Sequence, residues 1–267
     1  MAVDMHALLT DLGAETGVIN DMVGDIAPAD WDRPTPADGW SIRDQVSHLA
    51  FFDAAAALAA TDADEFHKQT AELRAKGGDT FTEEIANRYR SMPGTELLQW
   101  FQKERRNLIE TFTDIDPKAR LPWYGPDMSA ASSVTARMME TWAHGQDIAD
   151  ALGVTREPTL RLRNIAHLGV STYGFAYGLR GLDVPEVPVR VELSAADGST
   201  WTWGPEDAAD RVTGTALDFC LVVTQRRNIA DTQLHTEGAT AAEWMSIAQA
   251  FAGVPGPGRK PGQFPVN

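Results

Sequence analysis

The chain has 267 residues, 43% of them hydrophobic and 23% charged, with a formal net charge of -15. That length suits two domains of ordinary size, and no apolar run approaches the ~20 residues of a bilayer-spanning helix. The acidic balance repels phosphate backbones and anionic lipid surfaces, which argues against nucleic-acid and membrane partners. Met1 to His6 shows no basic segment leading into an apolar stretch, so the expectation is a cytoplasmic protein without a secretory leader. The single cysteine, Cys220, excludes an internal disulfide and a thiolate metal cluster. Any metal must therefore be held by imidazole and carboxylate, and thiol chemistry needs a thiol from outside. Cys220 lies in the apolar stretch Phe219-Cys220-Leu221-Val222-Val223, where a packed core residue is expected rather than a nucleophile.

In chain order, Leu8, Leu9, Leu12, Val18, Ile19, Met22 and Val23 recur at helical spacing and predict a first helix over about 5–26. Pro28, Pro34 and Pro36 mark a loop. Ser41 reads as an N-cap with Asp44 as its capping-box partner, opening a helix through Val46, Leu49 and an Ala-rich run toward Ala60. Residues 62–92 are polar and charged and read as helical but peripheral. Thr95 opens a helix through Phe101 and Leu108 to Phe112, ended by Pro117. After a loop from Leu121 to Met128, a fourth long helix runs from about Ala131 to Leu152, stopped by Gly153. Four long amphipathic helices argue for a bundle. From Pro158 the pattern changes to α+β. It begins with a helix over 160–179, then a hairpin of strands Val187–Leu193 and Thr200–Trp203 turning at Ala196-Asp197-Gly198. A short strand over 210–214, a helix over 216–225, a strand over 233–237 and a helix over 239–251 follow. The tail from Gly253 is rich in Pro and Gly and reads as extended.

Glu140-Thr141-Trp142-Ala143-His144 places a carboxylate and an imidazole one turn apart on a helix, the spacing of a ligand pair. Such pairs also occur on solvated faces. His48 sits among Val46, Leu49 and Ala50, and an imidazole on an apolar face is either a core residue with a polar partner or a ligand. Glu140 and His144 supply that partner if the second and fourth helices adjoin.

The motif Trp40-Ser41-x-x-Asp44-x-x-x-His48-Leu49, followed by Glu140-x-x-x-His144-x-x-Asp147, resembles the DinB-like superfamily. It is most similar to the mycothiol-dependent maleylpyruvate isomerase type, and the stretch from Ala136 to Asp147 fits that type. The resemblance covers most of the chain. It implies an α+β two-domain protein, with a DinB-like four-helix bundle over 1–157 and a smaller sterol-carrier-like α+β domain over 158–267. It further implies a divalent metal held by His48, Glu140 and His144, with one position open to water or a thiol. Three protein ligands and an open place are the pattern of a catalytic rather than a structural zinc site. Zn²⁺ is the first expectation, though His/Glu ligation also suits Ni²⁺ or Fe²⁺.

The neighbouring residues each carry two readings. Asp44 and Asp147 either steady a ligand from behind or, respectively, complete the helix cap and face solvent. Arg137 either holds a substrate carboxylate or pairs with a buried acid such as Asp44. Trp123 and Tyr124 either line a pocket mouth or anchor a surface loop. In the isomerase type an arginine after a glycine in the second domain is tied to catalysis. Arg226 matches it by resemblance, with Gln225 standing in place of the glycine, and the other reading of Arg226 is a cationic helix C-cap. His6, His67, His167 and His235 have no paired motif.

The function expected is metal-dependent activation of a low-molecular-weight thiol, mycothiol or its like, for transfer to or isomerisation of a small electrophile. Two alternatives stand beside it: a hydrolase in which the metal activates water, and a non-catalytic metal-binding or ligand-carrying module with an apolar cavity in its second half. The partners expected are a small-molecule substrate and a thiol, not nucleic acid or membrane.

Overall fold

Asp4 accepts from the backbone N–H of Ala7 and opens α1, Met5–Val23. This element, in a computed structural model that describes residues 4–78 and 81–264, begins the first of two units, Met1–Arg156 and Glu157–Asn267. The first three residues, on which the expectation of no leader partly rests, and the end of the Pro/Gly-rich tail at 265–267 lie outside the described residues.

The first unit is helical. A 3₁₀ turn at Pro28–Asp32 leads to α2, Ile42–Thr61. Then come α3, Ala63–Gly77, α4, Phe81–Tyr89, and α5, Gly94–Thr113. The last helix, α6, spans Ala130–Leu152. Helices α1, α2, α5 and α6 are the four long helices that the periodicity predicts, and they pack on one another as a bundle. Asp44 reaches back in the capping-box manner: its Oδ2 accepts from both the backbone N–H and the hydroxyl of Ser41 at 2.8 Å. Ser129 caps α6 by accepting from Ser132 N–H at 3.1 Å, and Gly153 ends it in the left-handed region at φ 68°.

Among the described residues two large apolar clusters lie in the bundle, beside a smaller one around Ala55, Ala59 and Phe66. One joins Leu8, Leu12, Leu108, Phe112, Val134 and Met138. The other joins Ile19, Val46, Leu49, Leu97, Phe101 and Ile148. Helices α3 and α4 are less peripheral than their composition suggests. Both pack against α2, and three of their apolar residues, Phe66, Ile85 and Ala86, are fully buried. A narrow apolar stripe is enough to dock a charged helix. The loop before α6 is pinched by two strands the sequence does not announce, β1, Arg120–Leu121, and β2, Met128–Ser129, paired antiparallel.

The second unit opens with α7, Leu162–Ser171, and α8, Tyr173–Gly178. The single helix expected over 160–179 breaks at Thr172, whose hydroxyl donates to the carbonyls of Leu168 and Gly169. Strands β3, Val189–Ser194, β4, Thr200–Trp203, β5, Asp210–Thr215, and β6, His235–Glu237, form one sheet in the order β4-β3-β5-β6. The β3–β4 hairpin is antiparallel as expected, whereas β3 and β5 run parallel. Helices α9, Ala216–Val223, and α10, Ala239–Ile247, complete the unit. Val191, Leu193 and Val212 point into the core with Phe219, Trp244 and Cys220. The hydroxyl-bearing positions Ser194, Thr200, Thr213 and Thr215 line an open groove of about 700 Å³ on the other side, together with His235.

Candidate metal centre

Helices α2 and α6 lie against each other, and their facing sides bring three of the sequence-predicted residues together. His48, Glu140 and His144 each offer a ligand atom, and these atoms all lie within 4.8 Å of one another. Glu140 Oε2 stands 3.0 Å from His144 Nε2 and 3.6 Å from His48 Nε2. The ring centroids of the two imidazoles are 4.4 Å apart. His144 and Glu140 share a face because they are four residues apart on one helix. His48 arrives from the neighbouring helix, so the cluster exists only through tertiary packing. Its side chains are mostly but not wholly covered, at 13% exposure for His48, 20% for Glu140 and 10% for His144. Solvent therefore touches a site otherwise sunk in the bundle.

Burial, and secondarily the neighbouring His144, pushes the His48 imidazole down to about 4, against the opposing pull of Glu140. Burial alone would raise Glu140. The hydrogen bonds and charges of His144 and His48 outweigh it and hold this carboxyl well below the ordinary carboxylate range. The centre thus presents a carboxylate anion beside an imidazole that stays neutral, which is the protonation pattern a divalent cation needs in its ligands. Two nitrogens and one oxygen suit zinc and similar ions.

The walls are aromatic. Trp40 lies nearly parallel to the His144 ring, with 6.0 Å between centroids and 21° between planes, and Phe52 is 4.5 Å from His48. Beyond Phe52, Tyr124 at 5.4 Å and Trp123 at 6.2 Å continue the cluster toward Phe66 and Phe81. Burial pushes the Tyr124 phenol up to about 12, so it remains protonated at neutral pH.

The remaining residues singled out from the sequence fall as follows. Asp44 gives its oxygens to Ser41 and to Arg90, whose Nε donates at 3.0 Å. Arg137 meets a buried acid, but that acid is Asp53 rather than Asp44: Arg137 Nε donates to Asp53 Oδ1 at 3.0 Å, and Arg105 Nε donates to Asp53 Oδ2 at 2.8 Å. Asp53 escapes a reading of the sequence because it looks like an interruption in an Ala-rich helix, and only the packing of α5 and α6 supplies its partners. Asp147 is fully buried on α6. In the second unit Arg226 follows α9 and donates to the Thr224 carbonyl at 2.7 Å. Gln225 sits at φ 58°, the left-handed conformation that glycine adopts most readily at a helix C-terminus. The position thus keeps a glycine's backbone with another side chain. Sequence reasoning missed Gln45, whose Oε1 hydrogen-bonds His144 Nδ1. Its only signal in the sequence is an amide three positions before His48 on the same helix.

A helical bundle whose second and last long helices converge two imidazoles and a carboxylate has the DinB-like fold. Within that class, the chain belongs to the family of the mycothiol maleylpyruvate isomerase N-terminal domain, whose family model matches residues 12–149. A model for wyosine base formation matches residues 185–236 of the second unit. Uncharacterized proteins of two Mycobacterium tuberculosis strains are each 45% identical over 257 residues, covering 96% of this chain and 99% of theirs. Two crystal structures of a mycothiol-dependent maleylpyruvate isomerase, one of them of a variant, share the fold. Their TM-scores are 0.58 and 0.57, their identities 13% and 14%, and each comparison covers 88% of this chain and 93% of the other. Among the described residues no helix is long and apolar enough to cross a membrane.

Proposed function

We propose that the protein is a metal-dependent enzyme that activates a low-molecular-weight thiol of the mycothiol type, for transfer to or isomerisation of a small electrophile. The observation that carries this reading is the convergence of His48, Glu140 and His144 at a partly open point of the α2–α6 seam. Zn²⁺ is the ion we assign to it. A divalent cation held there supplies the positive charge that lowers the pKa of a bound thiol toward neutrality.

The chain's own residues supply the rest. Glu140 contributes the single negative charge of the ligand set. Arg137, buried, with Nη2 lacking a hydrogen-bond partner among the described residues, is the group we assign to an anionic part of the substrate. Trp123, Tyr124 and Phe52 keep bulk water from the imidazoles and offer an apolar wall to the carbon skeleton. Asp147 is the buried carboxylate we assign to steadying α6 behind His144. Arg226 enters only through its match to the family's arginine. We read the second unit as the sterol-carrier-like domain of this enzyme type. Its open groove is lined by the polar and charged side chains of Glu192, Thr213, Gln233 and His235.

The deciding experiment incubates Zn²⁺-loaded protein with maleylpyruvate and other small electrophiles, with and without mycothiol. Turnover that needs the thiol and stops on chelation is the expected result. Turnover that proceeds equally without thiol would contradict the reading and point to a hydrolase.

A further inference from the structure

Hydrogen-bond direction in proteins can be deduced where a chain of partners ends on a group that only accepts. Such a chain ends at His144. The backbone carbonyl of Trp40 accepts from the Thr35 backbone N–H at 2.8 Å and from the Thr35 hydroxyl at 2.8 Å. With its one proton engaged there, the hydroxyl can only accept from Gln45 Nε2, which donates at 2.8 Å. That contact fixes which way the amide faces: NH₂ toward Thr35, carbonyl Oε1 toward His144. Oε1 has no proton to give, so the nitrogen that meets it, His144 Nδ1, must carry one. In a neutral imidazole the other nitrogen, Nε2, then holds a lone pair, and it is Nε2 that faces Glu140 Oε2 at 3.0 Å. A lone pair and a carboxylate oxygen at that separation repel unless a proton, as in the hydrogen bond that lowers the pKa of Glu140, or a metal ion is shared between them. His48 differs: its Nδ1 is buried with no hydrogen-bond partner among the described residues, so nothing comparable fixes its tautomer.

We infer that Thr35 and Gln45 are positioning residues: anchored on the Trp40 carbonyl, they preset His144 as the Nδ1-protonated tautomer and aim the Nε2 lone pair at the cation site. The inference rests on the metal reading and names the residues that prepare one ligand for it. The relay is neutral from end to end. Metal-bound imidazoles commonly donate to a carboxylate, a carbonyl or water, and a carboxylate makes the ring a stronger donor to the metal. An amide orients the ring without adding negative charge. Glu140 is then left as the one anion among the three ligands, and a divalent cation held by them keeps a net positive charge. Such a centre favours an anionic incoming ligand, a thiolate, over a neutral one.

Two readouts test this, and the first needs no metal. Long-range ¹H–¹⁵N correlation of the histidine rings in chelator-treated protein, above neutral pH, reports which nitrogen of His144 is protonated. Wild type is expected to show the Nδ1–H form. Gln45→Met, which keeps the volume but removes the acceptor, and Thr35→Val, which touches neither His144 nor Glu140, are expected to give a mixture with the Nε2–H form. The second readout is Zn²⁺ affinity by competition with a chromophoric chelator. It should fall about 10- to 100-fold in Gln45→Met, fall less in Thr35→Val, and be retained in Gln45→Glu, which restores an acceptor. An Nε2–H tautomer in wild type, or unchanged tautomer and affinity in both Gln45→Met and Thr35→Val, overturns the inference. A wild-type protein that shows the Nδ1–H form yet takes up no Zn²⁺ overturns the metal reading beneath it instead, and the tautomer signal tells the two failures apart.

Discussion

Two polar clusters lie along the same pair of helices and are built in opposite ways. Around Asp53 the groups close on one another. Arg105 donates to both carboxylate oxygens, to Thr141 at 2.8 Å and to Thr16, and Arg137 adds a further bond to Oδ1. All of these residues are buried. Around Glu140 the groups converge without closing: two imidazoles face one carboxylate, His48 Nδ1 lacks a partner among the described residues, and solvent reaches the edge. A buried network whose donors and acceptors are, apart from Arg137 Nη2, spent on each other holds helices in place. One that leaves lone pairs aimed at a common point is arranged to hold something else. Arg137 belongs to the first cluster and borders the second, since its charge acts on His48 and Tyr124.

The sharpest way to break this distinction is to open the closed cluster. Asp53→Ala would strand two buried guanidinium groups and should lower stability by about 3–5 kcal/mol, read as a shift of the urea midpoint in metal-free protein. If stability were unchanged, the Asp53 cluster would not be the structural one. His144→Ala in the open cluster should act the other way round. Zn²⁺ affinity should fall by more than the ~100-fold expected for a residue that only supports a ligand, with a stability loss below about 2 kcal/mol.

Acid separates the clusters next. His48 is pushed down to about 4 when folded, from its ordinary 6.5 in the unfolded chain. As pH falls the unfolded state gains this proton first. Stability present above about 6.5 is therefore lost between about 6.5 and 4 and levels off below. The loss attributable to His48 is at most about 3 kcal/mol. Urea midpoints measured with chelator across that window should drop in wild type and drop less in His48→Gln, and identical slopes would contradict the assignment. The smallest effect belongs to Asp44→Ala. If Asp44 serves the helix start, stability falls by about 1 kcal/mol and Zn²⁺ affinity does not move; an affinity loss would assign Asp44 to the metal centre.

What could be read from the sequence follows from the range over which each signal acts. Glu140 and His144 are one helical turn apart, and the four long helices announce themselves through their apolar periodicity. His48 could be joined to them only by resemblance, because nothing local says that α2 and α6 adjoin. Gln45, Thr35 and Asp53 were invisible for the same reason: an amide, a hydroxyl and a carboxylate in helix or loop gain meaning only from partners supplied by other elements. The burial of α3 and α4 was underestimated because Phe66 and Ile85 are few among many charges. The parallel pairing of β3 with β5 has no signature in strand periodicity, which fixes which side chains share a face but not which strand lies alongside.

The proposed function depends on a metal held at the α2–α6 seam. The most direct test is the metal content of purified protein, determined by elemental analysis for wild type, His48→Ala and His144→Ala after incubation with Zn²⁺ and exhaustive dialysis. One divalent metal per chain in wild type, lost in both variants, is the expected result. A wild-type protein that retains no metal under these conditions would contradict it.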